Sequence, residues 1–130
     1  MTLEDVSIMV VDDVNTMRVQ IRELLKSFGF KKVTIAANGE DAKRLVEQEP
    51  FHLILSDWQM GPTDGLTLLK YIRSHPEYKA LPFIMITAEG TKDKVVTAIQ
   101  AGVDDYIVKP LTPAIIQDRI YTCLVKKGIF

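Results

Sequence analysis

The chain has one cysteine, no long hydrophobic run and almost no net charge. Cys123 has no second cysteine to pair with, and its apolar neighbours favour a buried packing role over a reactive one. The 16 lysines and arginines nearly balance 17 acidic residues, so neither nucleic acid nor an anionic membrane is an expected partner. No apolar stretch approaches the roughly 18 residues of a membrane span, and the acidic first residues do not resemble a signal peptide. We therefore expect a cytoplasmic protein.

Internal repeats, low-complexity tracts and linkers are also missing. A chain of 130 residues with 47% apolar content has enough material for one sizeable core. The sequence thus predicts a single domain over residues 1–130, which we expect to be a monomer.

Five short apolar runs alternate with helical patterns. Because the runs lie 20 to 30 residues apart with a helix between them, they must pair in parallel through right-handed crossovers, with helices on both faces. The predicted fold class is therefore doubly wound α/β. The predicted strands are 6–11, 33–36, 53–56, 82–87 and 106–108. The predicted helix N-caps are Asn15, Asn38, Thr91 and Thr112, and Asp64 and Gly65 are predicted to open the third helix.

Polar side chains stand where these predicted strands end. The central strand stops on Asp57, the first on Asp12 and Asp13, the fourth on Thr87 and the fifth just before Lys109. Any one of them has an ordinary explanation, because acids after strands often cap helices and a lysine before a proline is usually solvated. All five at one edge of a parallel sheet, where ligands collect, predict a functional site.

The residue types at this edge favour phosphoryl chemistry. Clustered carboxylates raise one another's pKa unless a hard cation neutralises them, and Mg²⁺ prefers a few carboxylate oxygens. An ionised aspartate beside such a cation can attack phosphorus, with a lysine and a hydroxyl stabilising the phosphoryl charge. No general base is needed for that step. His52 and His75 are accordingly interpreted as structural or surface residues.

The ordered set of motifs resembles the receiver domain of two-component response regulators over essentially the whole chain, and within that family the stand-alone chemotaxis regulators. The resemblance implies a flavodoxin-like sheet of five parallel strands in the order 2-1-3-4-5, with five helices. The motifs are Asp12-Asp13, Ser56-Asp57-Trp58, Asp64-Gly65, Thr87-Ala88 and Lys109-Pro110.

The resemblance also implies roles for individual residues. Asp57 would accept a phosphoryl group from a histidine kinase, and Tyr106 would be the aromatic switch. The peptide between Lys109 and Pro110 would be cis. The expected ligands of the phosphoryl oxygens are Thr87, Lys109 and the backbone N–H of Ala88, and those of Mg²⁺ are Asp12, Asp13, Asp57 and the backbone carbonyl of Gln59.

The fourth predicted helix carries apolar residues over a wider arc than one buried face requires. This surface resembles the one by which chemotaxis regulators bind a flagellar motor switch protein, and a phosphatase is a further expected partner. Ordinary packing variation without a partner is the competing interpretation. The residues of the expected face are Lys92, Val95, Ile99, Tyr106 and Arg119.

Two departures from the family pattern affect the expected site. Gly61 stands where the family usually has proline, and Pro62 follows it, so the metal-side loop has a different backbone restriction. Gln59 and Glu89 occupy positions that influence how quickly water reaches the acyl phosphate, which leaves the phosphorylated lifetime open.

Other function classes fit the sequence less well. The expected protein is a signalling phosphoacceptor and not an enzyme, although it would catalyse its own phosphorylation and dephosphorylation. An aspartyl-nucleophile phosphatase would place its nucleophile after the first strand with an Asp-x-Asp spacing. A flavin carrier would have a phosphate loop rich in serine, threonine and glycine there, where this chain has Asp12-Asp13-Val14-Asn15. A receiver in a phosphorelay outside chemotaxis remains an alternative.

Overall fold

Strands and helices alternate along the chain as the apolar pattern predicts. The computed structural model describes residues 1–61 and 63–130, so Pro62 of the predicted Gly61-Pro62 turn lies outside the described residues. A short 3₁₀ turn, Leu3–Asp5, precedes the first strand. The elements are β1 (Ser7–Val11), α1 (Asn15–Ser27), β2 (Lys32–Ala36), α2 (Gly39–Gln48), β3 (Leu53–Ser56), α3 (Gly65–Ser74), β4 (Phe83–Thr87), α4 (Lys92–Gln100), β5 (Asp105–Val108) and α5 (Pro113–Lys126).

The five strands form one parallel sheet in the order β2-β1-β3-β4-β5. The expected strand order and the flavodoxin-like fold are thereby confirmed. Val11 is in register with Ser56 of β3, and Thr87 is in register with Val108 of β5. The residues that follow these strands consequently emerge side by side at one edge of the sheet.

Two apolar clusters cover the two faces of the sheet. Successive strand residues point to opposite faces, so Ile8 and Val10 of β1 pack with α1 and α5, while Met9 and Val11 pack with α2 and α3. Cys123 is buried in the first cluster, as predicted. Strands buried on both faces explain why their sequences are continuous apolar runs. The longest helix, α5, has 14 residues, and within the described ranges no helix meets the length and apolarity of a membrane span.

Three helices begin at the residues predicted to cap or open them. The side chains of Asn38, Asp64 and Thr91 accept hydrogen bonds from backbone N–H groups three residues further on, at 2.9, 2.8 and 3.4 Å. Each bond satisfies one donor of the first helical turn, which has no partner inside the helix.

The start of α1 differs from prediction, whereas α5 begins where it was predicted to begin. Asn15 is the first residue of α1 and Val14 is its cap, so the prediction of Asn15 as the N-cap is wrong. The reason is that Asp12 Oδ1 accepts the Val14 N–H at 3.0 Å, which turns the chain one residue earlier. Thr112 occupies the cap position of α5, but its side chain makes no cap bond, and Pro113 opens the helix.

Candidate functional site

One lysine joins the ends of three strands. Lys109 Nζ lies 3.0 Å from Asp57 Oδ2 and 3.3 Å from Asp12 Oδ2. The side chains of Lys109, Asp57 and Asp12 are only 17%, 11% and 2% exposed, so little water screens their charges. The sequence predicted that these three residues share one edge of the sheet, and the structure places them in direct contact.

The backbone fixes the position of Asp57. Its N–H donates to the carbonyl of Val11 at 2.9 Å, and Asp57 Oδ1 accepts the N–H of Trp58 at 2.6 Å. Gly65 lies against its carbonyl, because a Cβ on Gly65 would come within 2.0 Å of that oxygen. Only a glycine lets α3 begin this close to the central carboxylate.

Asp12 is the most buried of the acids. Its burial raises the pKa of the carboxyl, and the nearby charge of Asp57 acts in the same direction. The N–H of Val14 and the ammonium of Lys109 lower that pKa without offsetting the burial. The site therefore holds a carboxylate that a further positive charge would stabilise.

Lys109 is held charged by its two partners. Burial lowers the pKa of the Lys109 ammonium, but the hydrogen bond and charge of Asp57, followed by the charge of Asp12, outweigh that effect and raise it. The Lys109–Pro110 peptide is cis, as the family resemblance led us to expect. Lys109 N–H donates to the carbonyl of Thr87 at 2.8 Å, which continues the β4–β5 pairing to the edge.

Thr87 lies at this edge but does not contact the three charged groups by hydrogen bonds. Its buried side chain accepts the N–H of Glu89 at 3.3 Å. Ala88, between them, is exposed. The loop after β4 thus presents a hydroxyl and an accessible backbone segment beside the charged cluster.

Asp13 lies at the exposed opening of the site. A cleft of about 430 Å³ runs past Asp13, Gln59 and Asp64, with Lys94 on its far side. In the part of the chain that the structure describes, no three histidine, cysteine, aspartate or glutamate side chains are grouped so that they could hold a metal ion. Lys109 engages two of the three expected acids in this structure, and the third, Asp13, is exposed.

The side chains at this edge nevertheless offer ligand atoms that suit a divalent cation. Asp12, Asp13 and Asp57 carry three negative charges against the single positive charge of Lys109. The acids thus exceed the lysine by two negative charges, and all of their ligand atoms are oxygens. Both properties suit Mg²⁺.

Two aromatic rings form a wall next to Asp57. The rings of Trp58 and Tyr106 meet edge to face with centroids 6.4 Å apart, and Lys94 Nζ lies 4.7 Å from the Trp58 ring centroid. The Tyr106 hydroxyl donates to the carbonyl of Glu89. Burial, then the charges of Glu89 and Asp57, raise the pKa of that hydroxyl.

Glu89 also connects the loops on either side of the opening. Gln59 Nε2 donates to Glu89 Oε1 at 2.7 Å, so the β3–α3 and β4–α4 loops are tied together. With the Tyr106 hydroxyl on its carbonyl and Thr87 accepting its N–H, Glu89 is bound by three residues of the predicted site.

The expected partner face is partly apolar and exposed. Ile99 is 60% exposed and Val95 is half-buried, so α4 does present apolar surface as its sequence predicts. Lys92 is exposed, and Arg119 Nη1 donates to both carboxylate oxygens of Asp105 at 2.9 and 3.1 Å.

Two residues beside the site were missed by sequence reasoning. Arg18 Nη1 donates to the carbonyl of Asp12 at 2.7 Å, and Lys94 stacks on Trp58. Neither has a sequence signal that distinguishes it from an ordinary solvated side chain on an amphipathic helix.

Comparisons with known proteins agree with this geometry. A family model described as the response regulator receiver domain matches residues 8–121. The chain is 40% identical over 118 residues to the chemotaxis protein CheY1 of Helicobacter pylori, covering 90% of this chain and 95% of the relative. It is 38% identical over 117 residues to the chemotaxis protein CheY-3 of Vibrio cholerae, with 90% of each chain covered.

Solved structures show the same similarity. The chemotaxis protein CheY4 of Vibrio cholerae superposes with a TM-score of 0.86 at 27% identity, covering 92% of this chain and 98% of that one. A CheY-like receiver domain protein of Methanospirillum hungatei superposes with a TM-score of 0.87 at 27% identity, covering 95% and 96%. The chain therefore belongs to the response regulator receiver domain family and is a signal-transduction receiver of the CheY type.

Proposed function

We propose that Asp57 accepts a phosphoryl group from the phosphohistidine of a histidine kinase, and that this modification changes the surface formed by α4, β5 and α5. The observation that carries the proposal is the contact of Lys109 with both Asp57 and Asp12 at the carboxyl edge of the sheet. Residues 1–130 would act as one receiver domain and as a monomer, in the cytoplasm.

The transfer needs few groups from the protein. A carboxylate oxygen of Asp57 forms a bond to phosphorus as the P–N bond of the donor breaks, and the electron pair of that bond stays on the imidazole nitrogen. The nucleophile is a carboxylate, so no base has to remove a proton first. Lys109, the Thr87 hydroxyl and the Ala88 N–H would then bind the phosphoryl oxygens.

The proposed metal ligands are Asp12, Asp13, Asp57 and the backbone carbonyl of Gln59. When bound, Mg²⁺ would neutralise charge on these carboxylates and on the phosphoryl oxygens. The surplus negative charge of the acids and the raised pKa of Asp12 support this assignment. Asp13 would have to turn toward the other two acids to take part.

The proposed switch runs through the loop after β4. Thr87 and Tyr106 both bind the backbone of Glu89, so a Thr87 hydroxyl drawn to a phosphoryl group would release one of these two backbone bonds and leave the Gln59 bond to the Glu89 side chain. Movement of the Tyr106 ring would follow, because its hydroxyl is attached to the same residue. The surface that Lys92, Val95 and Ile99 of α4 form together with β5 would then change shape.

We propose a flagellar motor switch protein as the partner of this face, with a phosphatase as a second partner. Two relatives described as chemotaxis proteins and the apolar exposure of α4 support this choice. A receiver in another phosphorelay would use the same site with a different partner.

The phosphorylation proposal is tested by intact-mass spectrometry. We expect acetyl phosphate and Mg²⁺ to add one phosphoryl group to the chain, and EDTA or Asp57→Asn to prevent it. Asp118→Asn, a matched change on the exposed side of α5, should be phosphorylated normally. Trp58 emission should change with Mg²⁺ and again with acetyl phosphate, because its indole follows Asp57 directly.

Three outcomes would contradict the proposal. They are no added mass, added mass that survives Asp57→Asn, and hydrolysis of many donor molecules without a modified chain, which would indicate a phosphatase. For the partner, a motor-switch peptide should bind the phosphorylated chain more tightly, and Ile99→Lys should remove that difference. Equal affinity in both states would indicate a different partner.

A further inference from the structure

A second cleft lies at the end of the sheet opposite Asp57. It has a volume of about 470 Å³ and is formed by the end of α2, the segments that lead into β3 and β4, and Ile129. β3 spans four residues, so roughly 13 Å of strand separates this cleft from the charged cluster. Nothing in the proposed phosphorylation chemistry uses it.

The floor of the cleft is apolar and aromatic. Phe51, Leu81 and Pro82 line it together with the Tyr78 ring, which stacks on His75 with centroids 4.2 Å apart. His52 also lines the cleft, and its Nδ1 accepts the N–H of Ser7 at 2.9 Å. These rings and aliphatic groups provide the buried surface that most small binding sites use.

The rim carries charge of one sign only. Glu47, Glu49 and Glu77 are exposed and line the cleft, and no lysine or arginine in residues 1–61 and 63–130 lines it. Among the described residues, none of the three glutamates forms an ion pair with a basic side chain. Only the Tyr71 hydroxyl donates to Glu47, at 2.8 Å.

We infer that this cleft binds an arginine-bearing segment of a partner protein. A guanidinium pairs with carboxylates in a planar, two-point geometry and stacks on aromatic rings, so it complements both the glutamates and Tyr78. An apolar side chain next to the arginine would fill the floor. The glutamates would repel an acidic segment, so the cleft would bind basic segments in preference to acidic ones.

The test is an NMR titration of the ¹⁵N-labelled full chain with the peptide acetyl-Ala-Arg-Leu-Arg-Phe-Ala-amide. We expect saturable shifts at the amides of Phe51, Tyr78 and Leu81, and none with the same peptide carrying glutamate in place of both arginines. Affinity should fall about threefold in Glu49→Gln or Glu77→Gln and about tenfold in the double variant, in the range of exposed ion pairs. Added salt should weaken binding.

Two controls separate this inference from the phosphorylation proposal. Glu23→Gln, a matched change on α1, and Asp57→Asn should both bind the peptide like the unmodified chain. The inference is overturned if the shifts do not saturate, if they centre on Trp58, or if the acidic peptide binds equally. Shifts at Phe51 and Tyr78 that grow with protein concentration alone would also overturn it, because a second copy would then occupy the cleft.

Discussion

Lys109 Nζ separates two carboxylates that would otherwise repel each other, lying 3.0 Å from Asp57 and 3.3 Å from Asp12. Lys109→Ala should lower the free energy of unfolding by about 3 kcal/mol at pH 7, since two poorly solvated carboxylates lose their cationic partner. The loss should shrink as the pH falls, because protonation of Asp12, whose pKa is already raised, removes one of the two charges.

Urea unfolding followed by circular dichroism at several pH values measures this effect. Lys92→Ala is the matched control, because Lys92 is exposed and should change the free energy by less than about 0.5 kcal/mol. A loss for Lys109→Ala that is equally small, or that grows toward acid, would mean that the lysine does not stabilise the two acids.

Gly65 provides a test of the close approach of α3 to Asp57. Its Cβ would lie 2.0 Å from the Asp57 carbonyl oxygen, so Gly65→Ala should force the helix start to shift and lower the free energy of unfolding by about 3 kcal/mol. In Gly61→Ala the new Cβ meets nothing within 4 Å, and the change should be below about 1 kcal/mol. Thermal denaturation of the two variants decides the point, and similar melting temperatures would refute it.

Arg73 links segments that are far apart in the chain. Its guanidinium donates to Asp104 Oδ2 and to the carbonyl of Gly102, each at 2.9 Å, and also to the carbonyl of Leu81. Arg73→Ala should reduce the free energy of unfolding by about 2 kcal/mol, since three carbonyls, those of Gly102, Lys79 and Leu81, lose a donor and Asp104 is left with Lys127 as its charged partner.

Arg73→Lys should restore less than half of that loss, because one ammonium does not match several acceptors in a fixed geometry. The control is Arg44→Ala, whose exposed pair with Asp41 should be worth about 0.5 kcal/mol. Chemical denaturation of all three variants gives the comparison, and full restoration by lysine would show that only the charge matters.

Tyr106 should contribute to stability through its hydroxyl as well as its ring. Tyr106→Phe removes the donor to the Glu89 carbonyl while keeping the edge-to-face contact with Trp58, so we expect a loss of about 1 kcal/mol. Tyr121→Phe, at an exposed ring on α5, should be close to neutral in the same unfolding experiment. An equal loss in both variants would argue against the bond to Glu89.

Cys123 should be protected from alkylation in the folded chain. Burial raises the pKa of its thiol from 9.0 to about 11, so at pH 8 the thiolate fraction should be about a hundredfold smaller than in the unfolded chain. This raised pKa contributes stability that is fully present below pH 9 and is lost as the pH rises through about 11. Iodoacetamide labelling with and without urea, read by mass spectrometry, should show this difference, and equal rates would contradict it.

The sequence was sufficient to predict the elements of the fold because strands buried on both faces leave continuous apolar runs with polar stops. The order of the strands in the sheet was predicted from the family resemblance, because a chain of alternating strands and helices is compatible with several strand orders. The cap of α1 was missed because Asp12 binds the Val14 N–H, a contact that depends on local geometry and leaves no spacing signal.

The candidate site was predictable to a similar extent. Parallel pairing brings Asp12, Asp57 and Lys109 to one edge whatever the side-chain details, so their proximity followed from the element pattern. The outward position of Asp13, the stacking of Lys94 and the links of Arg73 depend on side-chain directions and long-range contacts. The glutamate-rimmed cleft was also missed, because its lining comes from four separate segments.

The backbone of Asp57 is held by contacts on both sides. Its N–H is bound to the carbonyl of Val11, and its own carbonyl has Gly65 pressed against it. These two contacts would resist a shift of the Asp57 backbone along β3. If Asp57 is phosphorylated as we propose, the change would instead reach the surface through rotation of neighbouring side chains and rearrangement of the bonds that Thr87, Gln59 and Tyr106 make to Glu89.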